Sequence, residues 1–356
     1  LLFGDLPTQD ELSAFSTLLG ENRSLPDGFT EDMILRAPSP DVMNKLGRSV
    51  LAAYSYDENA EDLSIENILR QSVELIARFP TYVAYAFQAK RHYYDEESLV
   101  IHAPVPDLST AENLLQMFRS DQQFTELEAR TLDLALVLHA EHGGGNNSAF
   151  TTHVVSSAAT DTYSAISAAV GSLKGAKHGG ASNRVIRMMD DIKTNVGTWD
   201  DDQEVADYLR RILRKEAGDR TGLIYGLGHA VYTVSDPRAG LLYSQARELA
   251  QAKGFDKELS LYEAVARLGT EVYKEEKKTD REISPNVDFF SGFVYNMLNI
   301  PRELFTPIFA IARIAGWTAH RIEEIVSGGR IIRPAYKNVS RHHHYVPLAS
   351  RQPPEL

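Results

Sequence analysis

Apolar residues along this chain recur at helical spacing far more often than in alternation. In residues 65–88, IENILRQSVELIARFPTYVAYAFQ, they return every three or four positions, which predicts an amphipathic helix with Pro80 as a break. Residues 127–142 and 158–174 are rich in Ala and Leu and predict buried helices, while 258–276 carry an apolar stripe between charged faces. Residues 302–327 predict a long apolar helix, interrupted near Pro307 and stopped by Gly328-Gly329. Helix starts are marked as well. Thr8 with Glu11, Ser109 with Glu112 and Thr125 with Glu128 have the spacing of capping boxes. Ser39-Pro40 reads as an N-cap followed by the first helical residue, and a further helical pattern begins near Asn183. Alternating strand patterns are scarce, and 329–346 is the best candidate for short extended pieces. The expected fold is all-α.

A chain of 356 residues suggests two domains. The opening LLFGDLPTQDEL reads as the tail of a helix running into a turn; it has no initiator Met and no signal-peptide pattern, and further sequence is expected upstream. No apolar run approaches the roughly 18 residues of a membrane span. A net charge of −12 argues against nucleic acid as a partner, yet a local basic pocket for an anionic small ligand is compatible with it. With no cysteine, thiolate catalysis, disulfides and Cys-based metal sites are excluded, which fits a cytoplasmic protein. There is no Rossmann or Walker glycine pattern and no internal repeat.

A few polar residues stand in unusual surroundings. Arg313, in FTPIFAIARIAGWTAH, has apolar or small neighbours on every helical face, so its guanidinium needs an anionic partner from a ligand or another segment. His178, in LKGAKHGGASNRV, precedes two glycines and a helix start, a setting that keeps imidazole neutral and able to donate to an oxyanion. Asp288, followed by two phenylalanines, suits either a base with a raised pKa or the N-cap of the next helix. His229 and Arg238 share the glycine-containing segment YGLGHAVYTVSDPR. His139 and His142 stand three apart where a helix is expected, but no third ligand is nearby, and the consecutive His342, His343 and His344 cannot all face one ion from an extended segment. No catalytic metal site is expected. Singly, each residue has an ordinary structural explanation. Together, arginines for carboxylates, an Asp base and neutral His donors describe enolisation of a carbonyl compound beside a dicarboxylate.

Five segments, in order, carry a resemblance: LHAEHGGGNNSAFTTHVVSSAATDTYSAISAAVGSLKGAKHGG, YGLGHAVYTVSDPRA, SPNVDFFSGFVY, LFTPIFAIARIAGWTAHRIEE and RIIRPAYKNV. The chain resembles the citrate synthase family along most of its length. The resemblance implies that acetyl-CoA and oxaloacetate are the substrates. Asp288 would take a proton from the acetyl methyl group, His178 would stabilise the enol or enolate, and His229 would hydrogen-bond and protonate the ketone of oxaloacetate. His142, Arg238 and Arg313 would hold the oxaloacetate carboxylates, and Arg333 would reach into the partner subunit's site in a homodimer. The backbone at Gly226, Leu227 and Ala230 would lie against the adenine of CoA. No cofactor is implied, CoA being part of a substrate.

The resemblance also implies a large helical domain, 1–180 and 291–356, with a small domain, 181–290, inserted in it and closing over the site. The sequence departs from the family around His178, where AKHGGASN replaces the commoner Pro-Leu and Gly-Ala-Asn. Further departures are His153, where many bacterial relatives have Arg, and the tail beyond Arg333-Pro334. Two rivals remain. One is 2-methylcitrate synthesis from propionyl-CoA, since one methylene is worth only about 1–3 kcal/mol of discrimination. The other is a catalytically silent relative with a binding role, against which His178, His229 and Asp288 stand together.

Overall fold

Capping decides where the helices of this protein begin. The computed structural model describes residues 1–351 apart from Ala230, Thr233 and His343. Thr8, Ser109 and Thr125 each accept from the backbone N–H three residues on, while the Glu at that position reaches back to the cap. They start α1 (Gln9–Glu21), α4 (Thr110–Phe118) and α5 (Glu126–His139). Between the first two lie α2 (Val42–Ala53) and α3 (Ile65–Tyr94). After α5 come α6 (Asn147–Ser156), α7 (Thr162–Lys174), α8 (Ala181–Asn195) and α9 (Asp202–Leu213). The chain continues with α10 (Pro237–Lys253), α11 (Asp256–Lys277), α12 (Val287–Met297) and α13 (Phe305–Val326). The described residues contain no β-strand, only one isolated antiparallel bridge between Leu227 and Pro285. The protein is all-α.

Several boundaries differ from the sequence reading. α3 runs unbroken through Pro80. A proline inside a helix costs about 3 kcal/mol, and here that is outweighed by packing, because Phe79, Tyr82, Val83 and Ala84 around it are fully buried. Pro307 does not interrupt α13 because it lies in the first turn, where the backbone N–H has no intrahelical partner to lose. Ser39 is not the cap of α2; Asp41 is, accepting from Asn44, and Ser39 accepts from the Asp41 N–H instead. α8 begins at Ala181, two residues before the expected start. Residues 1–7 hold no helix, only bends at 3–5, and residues 329–346 hold no strand among those described.

Two sets of packed helices position the site. α2, α3, α6, α7 and α13 pack on one another around the buried Trp317 and Tyr163. α9 lies on α11, and α12 packs against α8, α10 and α5. α12 is anchored by Phe289 and Phe293 against Tyr262 of α11, with ring centroids 5.4 and 4.6 Å apart. Each such buried aromatic contributes roughly 1.5–3 kcal/mol, so the first turn of α12, which carries Asp288, has a fixed place.

Candidate active site

Asp288 is the second residue of α12, and it does not cap it. Asn286 does, accepting from the Asp288 N–H at 3.0 Å. The carboxylate is therefore left to other work, and among the described residues no side chain or backbone group hydrogen-bonds to it. Burial raises its pKa to about 6; Arg238 and Arg313 oppose that rise, while Asp236 adds to it. Of the two roles the sequence allows this residue, capping is removed.

Asn286 also ties α12 to the His229 loop. Its side-chain amide donates to the Gly228 carbonyl at 2.8 Å, and its own N–H donates to the Gly226 carbonyl at 2.8 Å. Gly228 N–H donates to Ser284 at 2.7 Å. Gly226 has φ +80°, and a Cβ there would press on Phe289 and Val185. That position needs glycine for packing as well as for its backbone. Leu227 turns its side chain against Gly269 of α11.

His229 has its tautomer set by the backbone. Its Nδ1 accepts from the N–H groups of Val231 and Tyr232, at 3.0 and 3.1 Å. The neutral ring then carries its proton on Nε2, which lies 3.1 Å from Nε2 of His142, so His229 donates and His142 accepts. The two rings are stacked, 14° from parallel. Burial lowers the pKa of both rings; Arg238 lowers both further, and Arg313 also acts on His142.

Arg238 is the second residue of α10, which Asp236 caps. Asp236 is nearly buried and takes Nε and Nη2 of Arg238 at 3.0 and 2.9 Å. It also accepts from Val287 N–H at 3.0 Å, which makes it a second tie between α10 and α12. Tyr232 lies under the guanidinium, 5.2 Å from ring centroid to Cζ.

Arg313, fully buried on α13, donates through Nε to the His139 carbonyl at 2.7 Å and lies 4.6 Å from the centroid of the Phe309 ring. Among the described residues Nη1 and Nη2 have no hydrogen-bond partner. Among the described residues no carboxylate hydrogen-bonds to it; desolvation lowers its pKa to about 10, against the through-space attraction of Glu141. Two orphaned guanidinium nitrogens in a buried place describe a seat for a carboxylate.

His178 sits in the turn between α7 and α8. Its Nε2 lies 3.3 Å from the Ser148 N–H, at the start of α6, and 3.0 Å from Ser148 Oγ. Nε2 therefore accepts, and the proton of the neutral ring is on Nδ1. Burial lowers its pKa, and Arg313 lowers it further. Ser148 is itself fixed, its Oγ accepting from Trp317 Nε1 at 3.0 Å.

The fields of Arg238 and Arg313 thus converge on Asp288 and His142, with His229 and His178 at their flanks. Such a set offers one base, two neutral N–H donors and two cationic anchors. The chain matches the description Citrate synthase, C-terminal domain, over residues 1–335. It belongs to the citrate synthase family. The citrate synthase of Deinococcus radiodurans is 37% identical over 356 residues, 99% of this chain and 87% of that protein. The 2-methylcitrate synthase 1 of Corynebacterium glutamicum is 33% identical, over 99% of this chain and 86% of that one. Among solved structures, the citrate synthase of Thermoplasma acidophilum, in ternary complex with carboxymethyl coenzyme A and oxaloacetate, aligns with a TM-score of 0.81. It is 25% identical and covers 98% of this chain and 86% of its own.

Other candidates fall elsewhere. Arg333 is exposed on the extended segment after α13, outside the cluster. Ala230 and His343 lie outside the described residues. His139 does not pair with His142, because α5 ends at His139. His139 is buried and neutral, its pKa lowered by burial to about 4; Nδ1 donates to Ala135 and its carbonyl holds Arg313. The sequence reading missed Ser148, Asp236 and Asn286, which orient the reacting groups. The Asp236-Pro237 step, a cap followed by a proline, was the available signal for one of them.

Proposed function

We propose that this chain condenses acetyl-CoA with oxaloacetate and water to give citrate and CoA. The observation that carries this reading is the pairing of an unengaged Asp288 carboxylate, pKa about 6, with an Arg313 whose two terminal nitrogens are buried and unpartnered. Oxaloacetate binds with its carboxylates on Arg313, Arg238 and His142. Asp288 removes a proton from the methyl carbon of acetyl-CoA, and Nδ1–H of His178 donates to the thioester oxygen as it gains negative charge. The enol carbon attacks the ketone of oxaloacetate, and His229 delivers its Nε2 proton to the new alkoxide. Water then cleaves the citryl thioester, releasing citrate and CoA.

The backbone around Gly226, Leu227 and Ala230 lies against the adenine of CoA in this reading. Residues 181–290 act as a small domain closing on the remainder, 1–180 and 291–356, which excludes water before enolisation. The protein works as a homodimer, with Arg333 of each subunit completing the partner's site, and it needs no cofactor. Its lack of cysteine suits the cytoplasm; no helix among the described residues is long and apolar enough to cross a membrane.

Propionyl-CoA is the second substrate to weigh, because a relative at 33% identity is a 2-methylcitrate synthase. Thiol release, measured with oxaloacetate and either thioester, tests both readings against a protein free of cysteine. Release that depends on oxaloacetate, with kcat/KM higher for acetyl-CoA, is expected. Preference for propionyl-CoA would reassign the substrate, and no release from folded protein would leave the binding role.

A further inference from the structure

Away from the reacting groups, α6 and the last turns of α13 bring two histidines and a glutamate into one cluster. His153 Nε2 lies 3.0 Å from His320 Nδ1. Glu323 Oε2 lies 3.2 Å from His320 Nδ1 and 3.8 Å from His153 Nε2. We propose that these three atoms form a binding site for a divalent first-row transition ion, zinc foremost.

Three features support the assignment. The first is the size of the triangle. A point about 2.1 Å from all three atoms, the ordinary zinc–ligand distance, lies only about 0.8 Å out of their plane. The second is the outer ring of acceptors. Metal-bound histidines characteristically donate their other ring N–H to a carboxylate, which fixes the tautomer and raises ligand basicity. Here both do: His153 Nδ1 meets Glu324 Oε2 at 2.8 Å, and His320 Nε2 meets Glu141 Oε1 at 2.8 Å. That leaves Nε2 of His153 as an acceptor facing Nδ1 of His320, whose proton is shared between His153 Nε2 and Glu323 Oε2. A divalent ion would replace that one proton and take all three atoms as ligands.

The third feature is access. The side chains of His153 and His320 are 16% and 12% exposed, and that of Glu323 is 68% exposed. Two ligands are thus held by the fold, and the third closes the site from the solvent side, where water can complete the coordination.

The ion would tether as well as bind. Glu141 immediately precedes His142, and its carboxylate also accepts from Gly143 N–H. The Ala140–Glu141 stretch lies against α13 at Gly316, where a Cβ would collide with the Ala140 carbonyl and the Glu141 carboxylate. Fixing His320 on a metal would fix Glu141, and with it the segment that carries His142.

The test is a calorimetric titration with Zn²⁺ of the full chain after chelation and dialysis, with His342, His343 and His344 replaced by Ser to remove the other histidine run. One ion per chain is expected, together with a rise in Tm. Glu323→Gln, a change at an exposed side chain, is expected to weaken binding at least tenfold without lowering the metal-free Tm, and His153→Gln to abolish saturable binding. Glu324→Gln is expected to weaken binding about tenfold through the outer hydrogen bond. Absence of stoichiometric binding, or binding indifferent to Glu323→Gln, would overturn the proposal and leave the two rings sharing a proton.

Discussion

Replacing Arg313 by Met tests the idea that this guanidinium is held for a ligand and not for the fold. Among the described residues Arg313 makes one hydrogen bond, to the His139 carbonyl, and stacks on Phe309. A charge-assisted bond of that kind contributes about 1.5–3 kcal/mol. Against it stand two buried donors without partners, each costing about 1–3 kcal/mol. The fall of its pKa to about 10 points the same way. Together the unpartnered donors, about 2–6 kcal/mol, match or exceed the bond, so Arg313→Met should cost no more than about 1 kcal/mol of stability and can raise it. The ligand changes the balance. Oxaloacetate at a hundred times its Kd should stabilise the wild type by about 2.7 kcal/mol and the variant hardly at all. Thermal unfolding with and without oxaloacetate, read beside CoA release, gives both quantities. Expected are a Tm close to wild type without ligand, no Tm rise with ligand, and at least a thousandfold loss of kcat/KM. A loss of 3–5 kcal/mol without ligand, as when one partner of a buried ion pair is removed, would refute the reasoning. So would an undiminished response to oxaloacetate.

Other expectations follow from the same geometry. Asp288 must be ionised to act as a base, so kcat/KM for acetyl-CoA should fall about tenfold per pH unit below its pKa of about 6, and a profile flat to pH 5 would contradict the assignment. Because this pKa is raised above the unfolded value near 3.9, Asp288 withdraws stability as pH climbs from about 4 to 6. Asp288→Asn should therefore abolish turnover while leaving Tm at pH 8 unchanged or higher, and a lower Tm would count against it. Asn286→Ala removes a cap and the link to Gly228; a cost of about 1–2 kcal/mol and a fall in kcat larger than the rise in KM are expected, whereas unchanged kcat would make the link structural only. Arg333→Ala and Asp288→Asn should each be inactive alone, yet refolding the two together should restore activity in mixed dimers, and failure to do so would place Arg333 outside the partner's site.

The helices were legible because their signals are local. Thr8, Ser109 and Thr125 cap where the spacing to Glu says they should, and α5, α7, α11 and α13 follow the apolar period. Pro80 misled because its local cost is outweighed by burial that no window of sequence displays. Arg313 and Asp288 were visible as polar residues in apolar surroundings. What each would face was not visible: Asn286 takes the capping role from Asp288, and among the described residues no acid hydrogen-bonds to Arg313, Glu141 and Asp288 acting on it only through space. Ser148, Asp236 and Asn286 act through contacts spanning about 30 to 58 residues of sequence. Apart from the Asp236-Pro237 step, which marks a cap, nothing in their own neighbourhoods announces them. The His153–His320 pair is separated still further, 167 positions apart, and each residue alone reads as an ordinary helical histidine.

The most direct test of the central claim is to follow acetyl-CoA labelled with ¹³C at the methyl carbon by NMR, with oxaloacetate and the full-length protein. Labelled citrate is expected, with one CoA per citrate, and both are lost in Asp288→Asn. Thioester hydrolysis that needs no oxaloacetate, or labelled citrate formed equally well by Asp288→Asn, would contradict it.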